Sequence, residues 1–88
     1  MRIMAIDYGD ARTGIAVSDL LCSIVGFTTV IHSRNVDKTV TQILELVKTH
    51  NVGELVMGLP RNMDGTEGAR AELCRGFASK LEDFYKTL

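Results

Sequence analysis

Cysteine is scarce: Cys22 and Cys74 are the only two, they stand far apart, and neither has a C-x-x-C partner or a neighbouring His pair. That excludes a disulfide framework or a zinc site as the organising feature and leaves two reduced thiols, buried or half-buried. An excess of one charge is equally lacking, since ten Lys and Arg face eleven Asp and Glu for a net charge of −1. The chain is therefore not the basic body that wraps nucleic acid for bulk affinity, and partner choice rests on local groups. No charged leader precedes an apolar stretch, and no run approaches the ~20 apolar residues of a membrane span. A cytoplasmic location is expected, with no membrane partner. Neither G-x-x-x-x-G-K-[ST] nor G-x-G-x-x-G occurs, which removes both nucleotide-loop fingerprints. Internal repeats, linkers and low-complexity tracts are absent as well.

What is present is a chain of 88 residues, 45% hydrophobic and 24% charged, which fits one small globular domain over residues 1–88. A chain this short buries a modest core, close to the lower limit for independent stability. Ile3 to Ile6 is a continuous apolar run that suits a strand covered on both faces. Gly14 to Asp19 is a second strand, antiparallel to the first because the connection is brief. Phe27 to His32, β-branched and aromatic, is a third; Leu20 to Val25 has no assignable boundaries. Val40, Ile43, Leu44 and Val47 then fall on one helical face, with Asn35 or Asp37 to cap the start and Asn51 or Gly53 to end it. Glu54 to Gly58 is a strand, reached by a parallel crossover. Leu59 to Gly65 is a loop, and Asp64 or Thr66 can cap a last helix whose stripe is Ala69, Leu73, Phe77, Leu81, Phe84 and Leu88. The order β-β-β-α-β-α ends on an apolar helix position, as in a chain cut in mid-domain. An unpaired strand edge and an uncovered stripe predict a homodimer through the sheet edge or the last helix, with exchange of that helix as one route.

Two loops attract chemistry. Asp7 closes a strand that reads as buried, and a carboxylate there needs hydrogen bonds, an ion pair or a metal. It lies at the carboxyl end of the sheet, where open α/β sheets place their sites. Either it caps backbone N–H groups of the Gly9 to Thr13 loop, or it binds a metal. The loop from Gly58 to Gly65 opens at the same end: Gly58 permits close approach, and Arg61 and Asn62 offer donors suited to phosphate. An ordinary βα loop has the same composition. Arg12 either contacts phosphate or is a surface arginine in a turn. Arg70 and Arg75, near Glu67 and Glu72, read as a solvated helix face. His50 suits the negative end of a helix, and His32 ends a strand without a partner visible in sequence.

With both loops quoted, the chain resembles the YqgF-type (RuvX-like) family of the RNase H-like superfold. The matching residues are Ala5-Ile6-Asp7-Tyr8-Gly9, Arg12 to Asp19, Val56-Met57-Gly58-Leu59-Pro60, and Asn62-Met63-Asp64-Gly65-Thr66. The resemblance implies an α/β fold with an RNase H-like mixed sheet that lacks the family's last strand and helix. It implies a metal-dependent endonuclease that processes the 5′ end of pre-16S rRNA and is Holliday-junction-resolvase-like. Its partners would be structured RNA or branched DNA, and its cofactor Mg²⁺ or Mn²⁺. Asp7 matches the first catalytic carboxylate and metal ligand, while Arg12, Thr13, Arg61, Asn62 and Gly65 would line the substrate cleft. The family's other acids lie beyond Leu88, so this 88-residue chain is itself expected to be inactive. The alternatives are a non-catalytic, self-associating binding module and an actin-like ATPase fragment that uses Asp7, Gly9 and Thr13.

Overall fold

The computed structural model describes residues 2–19, 21, 24–58 and 68–85. Its elements are β1 (Arg2–Asp7), β2 (Arg12–Ser18), β3 (Val25–His32), α1 (Val36–Thr49), β4 (Val52–Met57) and α2 (Ala69–Tyr85). The order β-β-β-α-β-α is the expected one. Among the described residues the strands form one sheet in the order β3-β2-β1-β4. β1 pairs antiparallel with β2 and parallel with β4, which is the mixed RNase H-like arrangement. β2 therefore starts, and β4 ends, at the carboxyl end of β1.

The core lies on one side of this sheet. Met4 and Ile6, Ile15 and Val17, and Ile31 point towards α1 and α2, where Val40, Ile43, Val47, Phe77 and Leu81 meet them. Alternate residues point the other way, and there Ala5 and Asp7 are exposed while Val30 and Val56 are each 48% exposed. The expectation of a strand covered on both faces is thus corrected: the apolar run of β1 includes the small Ala5, and both helices pack on the opposite face.

α1 begins where the sequence places its cap. The Asn35 side-chain oxygen accepts the Lys38 N–H at 3.0 Å, satisfying a donor that the first helical turn leaves open. Asn51, with φ 53°, turns the chain out of the helix in the left-handed region that asparagine tolerates. His50 serves packing as well as the helix end: its ring lies 4.3 Å from that of Phe27, and its carbonyl accepts the Arg2 guanidinium at 2.7 Å.

Several boundaries or faces differ from expectation. β4 runs Val52–Met57 rather than Glu54 to Gly58, because Val52 already pairs with Arg2 and the last pair is Ile6 with Met57. β3 starts at Val25 rather than Phe27, because a register shift between Val17 and Ser18 lets Ser18 pair with Val25. β2 starts at Arg12, two residues before Gly14, because it continues to pair with β3 beyond the end of β1. The buried face of α2 is Ala71, Cys74, Phe77 and Leu81, whereas Leu73 is 54% exposed and Phe84 39%. A stripe built on steps of four drifts ~40° per step around a helix of 3.6 residues per turn, so it leaves the core. Cys74 is a buried free thiol; Cys22 and Leu88 lie outside the described residues. Among the described residues no helix is long and apolar enough to cross a membrane.

Candidate functional site

Asp7 is the last residue of β1 and is exposed on the uncovered face. Its partner across the antiparallel ladder is Gly14, and its position on the parallel side is followed by Gly58, since Ile6 pairs with Met57. A side chain at Gly14 would put its first carbon 3.7 Å from the Asp7 Cβ, and at Gly58 nothing lies within 4 Å. The carboxylate is therefore flanked by two residues without side chains, at the head of a shallow groove over Ala5, Gly14 and Ala16. That open surround allows a ligand to approach Asp7 from the uncovered face.

The loop after Asp7 is held from below. Thr13 is 1% exposed and its hydroxyl donates to the Gly9 carbonyl at 3.5 Å, a long contact that ties the loop's two ends. Gly9 is required by sterics: a Cβ there would lie 2.2 Å from the Arg12 carbonyl oxygen. The Arg70 guanidinium, on the first turn of α2, donates to Asp10 Oδ1 and to the Tyr8 carbonyl, both at 2.8 Å. It also stands 5.6 Å from the centroid of the Tyr8 ring, and that ring stacks on Phe77 at 4.0 Å. The bond to Asp10 raises the already high Arg70 pKa, so the guanidinium stays protonated. Arg70 stays partly solvated, with 40% of its side chain exposed, but it is not merely a surface charge: its partners are 60 and 62 residues away, where no local pattern reveals them.

The sequence-derived site residues are thus placed as follows. Asp7 and Arg12 are exposed at the same end of the sheet, and Thr13 faces inward to brace the loop. Arg61, Asn62 and Gly65 lie outside the described residues. Sequence reasoning missed Tyr8 and Arg70 as supports of the loop, although Tyr8 directly follows the acid and an aromatic residue in a turn is a usable signal.

The donors at this end among the described residues do not make up a full divalent-cation site. Asp7 supplies one carboxylate, Asp10 is engaged by Arg70, and among the described residues no group of three His, Cys, Asp or Glu could hold a metal ion. One ligand falls short of the oxygen set that a hard divalent ion takes.

The profile of the family described as "RuvX: Holliday junction resolvase" matches residues 1–88. The chain belongs to the RuvX family. Among relatives named "Putative pre-16S rRNA nuclease", the RuvX-family chain is 40% identical over 84 residues to that of Carboxydothermus hydrogenoformans, covering 96% of this chain and 61% of the relative. It is 48% identical over 83 residues to that of Heliobacterium modesticaldum, covering 93% and 55%. With the Moorella thermoacetica relative it shares 44% over 82 residues, covering 93% and 59%. The chain spans a little over half the length of these relatives. The RuvX match replaces the alternative of an actin-like ATPase fragment, and it gives the Asp7 loop and the β4 loop a common family context.

Proposed function

We propose that this chain supplies the first-strand half of a nuclease site that acts on structured RNA in the cytoplasm, with the 5′ end of pre-16S rRNA as the substrate class. Asp7 carries the reading, exposed between Gly14 and Gly58 where parallel strands β1 and β4 end together. The names of the relatives support the substrate class. Branched DNA, in keeping with the family description, is the second substrate to try. Asp7 would contribute one ligand to Mg²⁺ or Mn²⁺, and the remaining donors are not among the described residues. Arg12 would hold the phosphate backbone from the first loop, and Arg61, Asn62 and Gly65, outside the described residues, are the further substrate contacts proposed from the family resemblance. The incomplete donor set also favours a second reading, in which these 88 residues bind nucleic acid without cutting it.

The test is a turnover assay on labelled RNA that spans the 5′ end of 16S rRNA, with Mg²⁺ or Mn²⁺. The chain alone is expected to bind the RNA and leave it intact. Cleavage that disappears in Asp7→Asn would show that the donor set is complete after all. No interaction with RNA under any of these conditions would remove the nuclease reading itself.

Self-association belongs to the same proposal. β4 pairs only with β1 among the described residues, and an apolar groove lined by Leu55, Met57, Leu81 and Tyr85 runs beside its open edge. Such an edge is a template for a strand from another molecule. Light scattering is expected to show a dimer that forms as concentration rises; a monomer throughout would exclude pairing at this edge.

A further inference from the structure

His32 ends β3 directly across from Arg12, and both are exposed. Arg12 shares the outward face of β2 with Gly14, the partner of Asp7. The pair therefore stands on the uncovered side of the sheet, at the Asp7 end. From strand spacings of ~4.8 Å and a rise of ~3.4 Å per residue, the Arg12 Cα is ~8 Å from that of Asp7 and the His32 Cα is ~12 Å away.

The charges around this pair are unevenly engaged. Asp10 is bonded by Arg70, and Asp37, in the first turn of α1, is bonded by Lys80. β3 is the edge strand, so β2 is its only neighbour among the described strands, and the charged group it presents to His32 is Arg12. Arg34 is exposed in the turn that follows. Both helices bury their apolar residues against the opposite face, so neither presents a titratable group to His32 there. Arg12, His32 and Arg34 are thus a run of cationic or protonatable groups with no ion-pair partner among the described residues. Asp7 alone would repel a polyanion, and a cationic rim beside it offsets that repulsion.

We propose that Arg12 and His32 form a second contact for the phosphodiester backbone of RNA, next to the phosphate at Asp7, with His32 gripping it in its protonated form. The proposal rests on the reading of the Asp7 end as a nucleic-acid site and adds a residue and a pH dependence to it. A neutral imidazole offers one ordinary hydrogen bond, whereas imidazolium offers a charge-assisted one and releases a counterion from the strand. Each such contact steepens the fall of log K with log salt by about 0.7 for a single strand.

The experiment is fluorescence anisotropy of a labelled oligouridine with the 88-residue chain, over a salt series at about pH 5.5 and about pH 8, on either side of the imidazole range. Wild type is expected to bind more tightly at the lower pH, with a slope steeper by about 0.7. His32→Gln should show the shallow slope at both pH values, and His32→Lys the steep slope at both. Arg12→Gln should lose about 0.7 from the slope regardless of pH. Both His32 variants are surface changes, and matching circular dichroism melts would verify the fold. If His32→Gln binds RNA with the pH dependence of wild type, this inference falls and the reading of the Asp7 end stands. If wild type binds no RNA at either pH, both fall.

Discussion

Replacing Phe77 by alanine is expected to cost about 3–5 kcal/mol, the usual range for emptying a buried aromatic site. Phe77 is 3% exposed within the core of β1, β2, α1 and α2. Its ring also carries the Tyr8 ring, at 4.0 Å and 16° between planes, and a stacked pair adds about 0.5–1.5 kcal/mol beyond its burial. At roughly 0.05–0.15 kcal/mol per residue, a chain of 88 residues has a total of about 4–13 kcal/mol. The variant would therefore lose a large part of its stability, and the loop after Asp7 would lose its floor. Urea unfolding checks the first effect, and hydrogen exchange of the Tyr8 to Arg12 amides checks the second. A loss below about 1 kcal/mol would mean that the aromatic stack is not formed in solution.

The second large effect is expected at Gly9. A Cβ at 2.2 Å from the Arg12 carbonyl oxygen meets backbone, not a movable side chain, so Gly9→Ala must open the loop. Forced backbone strain of this kind is expected to cost about 2 kcal/mol or more. Gly76→Ala is the matching control, because nothing lies within 4 Å of that site in α2; it should gain about 1 kcal/mol from helix propensity. If the two substitutions behave alike in urea unfolding, the tight turn between Gly9 and Arg12 is not present. The same loop holds Asp7 in place, so Gly9→Ala should also weaken metal and RNA contacts at that end while the melting of α1 stays cooperative with the rest.

The architecture was legible because its signals are local and periodic. The apolar run at residues 3–6, the β-branched stretch ending at His32 and the helical stripe from Val40 to Val47 each define an element without outside help. Asn35 and Asn51 mark the ends of α1 by mechanisms that need only their own side chains or backbone. The face of α2 was harder to read, since Leu73, Phe77 and Leu81 are all apolar and only packing shows that Leu73 turns outward. Coverage of the sheet was hidden too, because an apolar run cannot say whether one helix layer or two lies against it.

For the site, the sequence pointed to Asp7 on the premise of a buried acid, and the structure corrects that premise. Asp7 is exposed, so no cost of burying its charge singles it out, and the signal that stands is its place at the carboxyl end of β1. The sequence could not show that Gly14 and Gly58 flank it, which depends on the register of two ladders. The tie between Arg70 and the Asp7 loop joins residues 60 apart, and the Arg12 and His32 pair joins two strands at a position set by register. Contacts of that range follow from the assembled fold and leave no mark on neighbouring residues.

The most direct test of the central claim is an amide NMR titration of the chain with Mn²⁺, whose paramagnetism broadens signals near the ion. Broadening should begin at Asp7, Tyr8, Gly9, Gly14 and Gly58, remain weak in affinity because Asp7 is the carboxylate left outside an ion pair at this end among the described residues, and vanish in Asp7→Asn. Broadening centred elsewhere, or unchanged in Asp7→Asn, would contradict the assignment of this end of the sheet as the site.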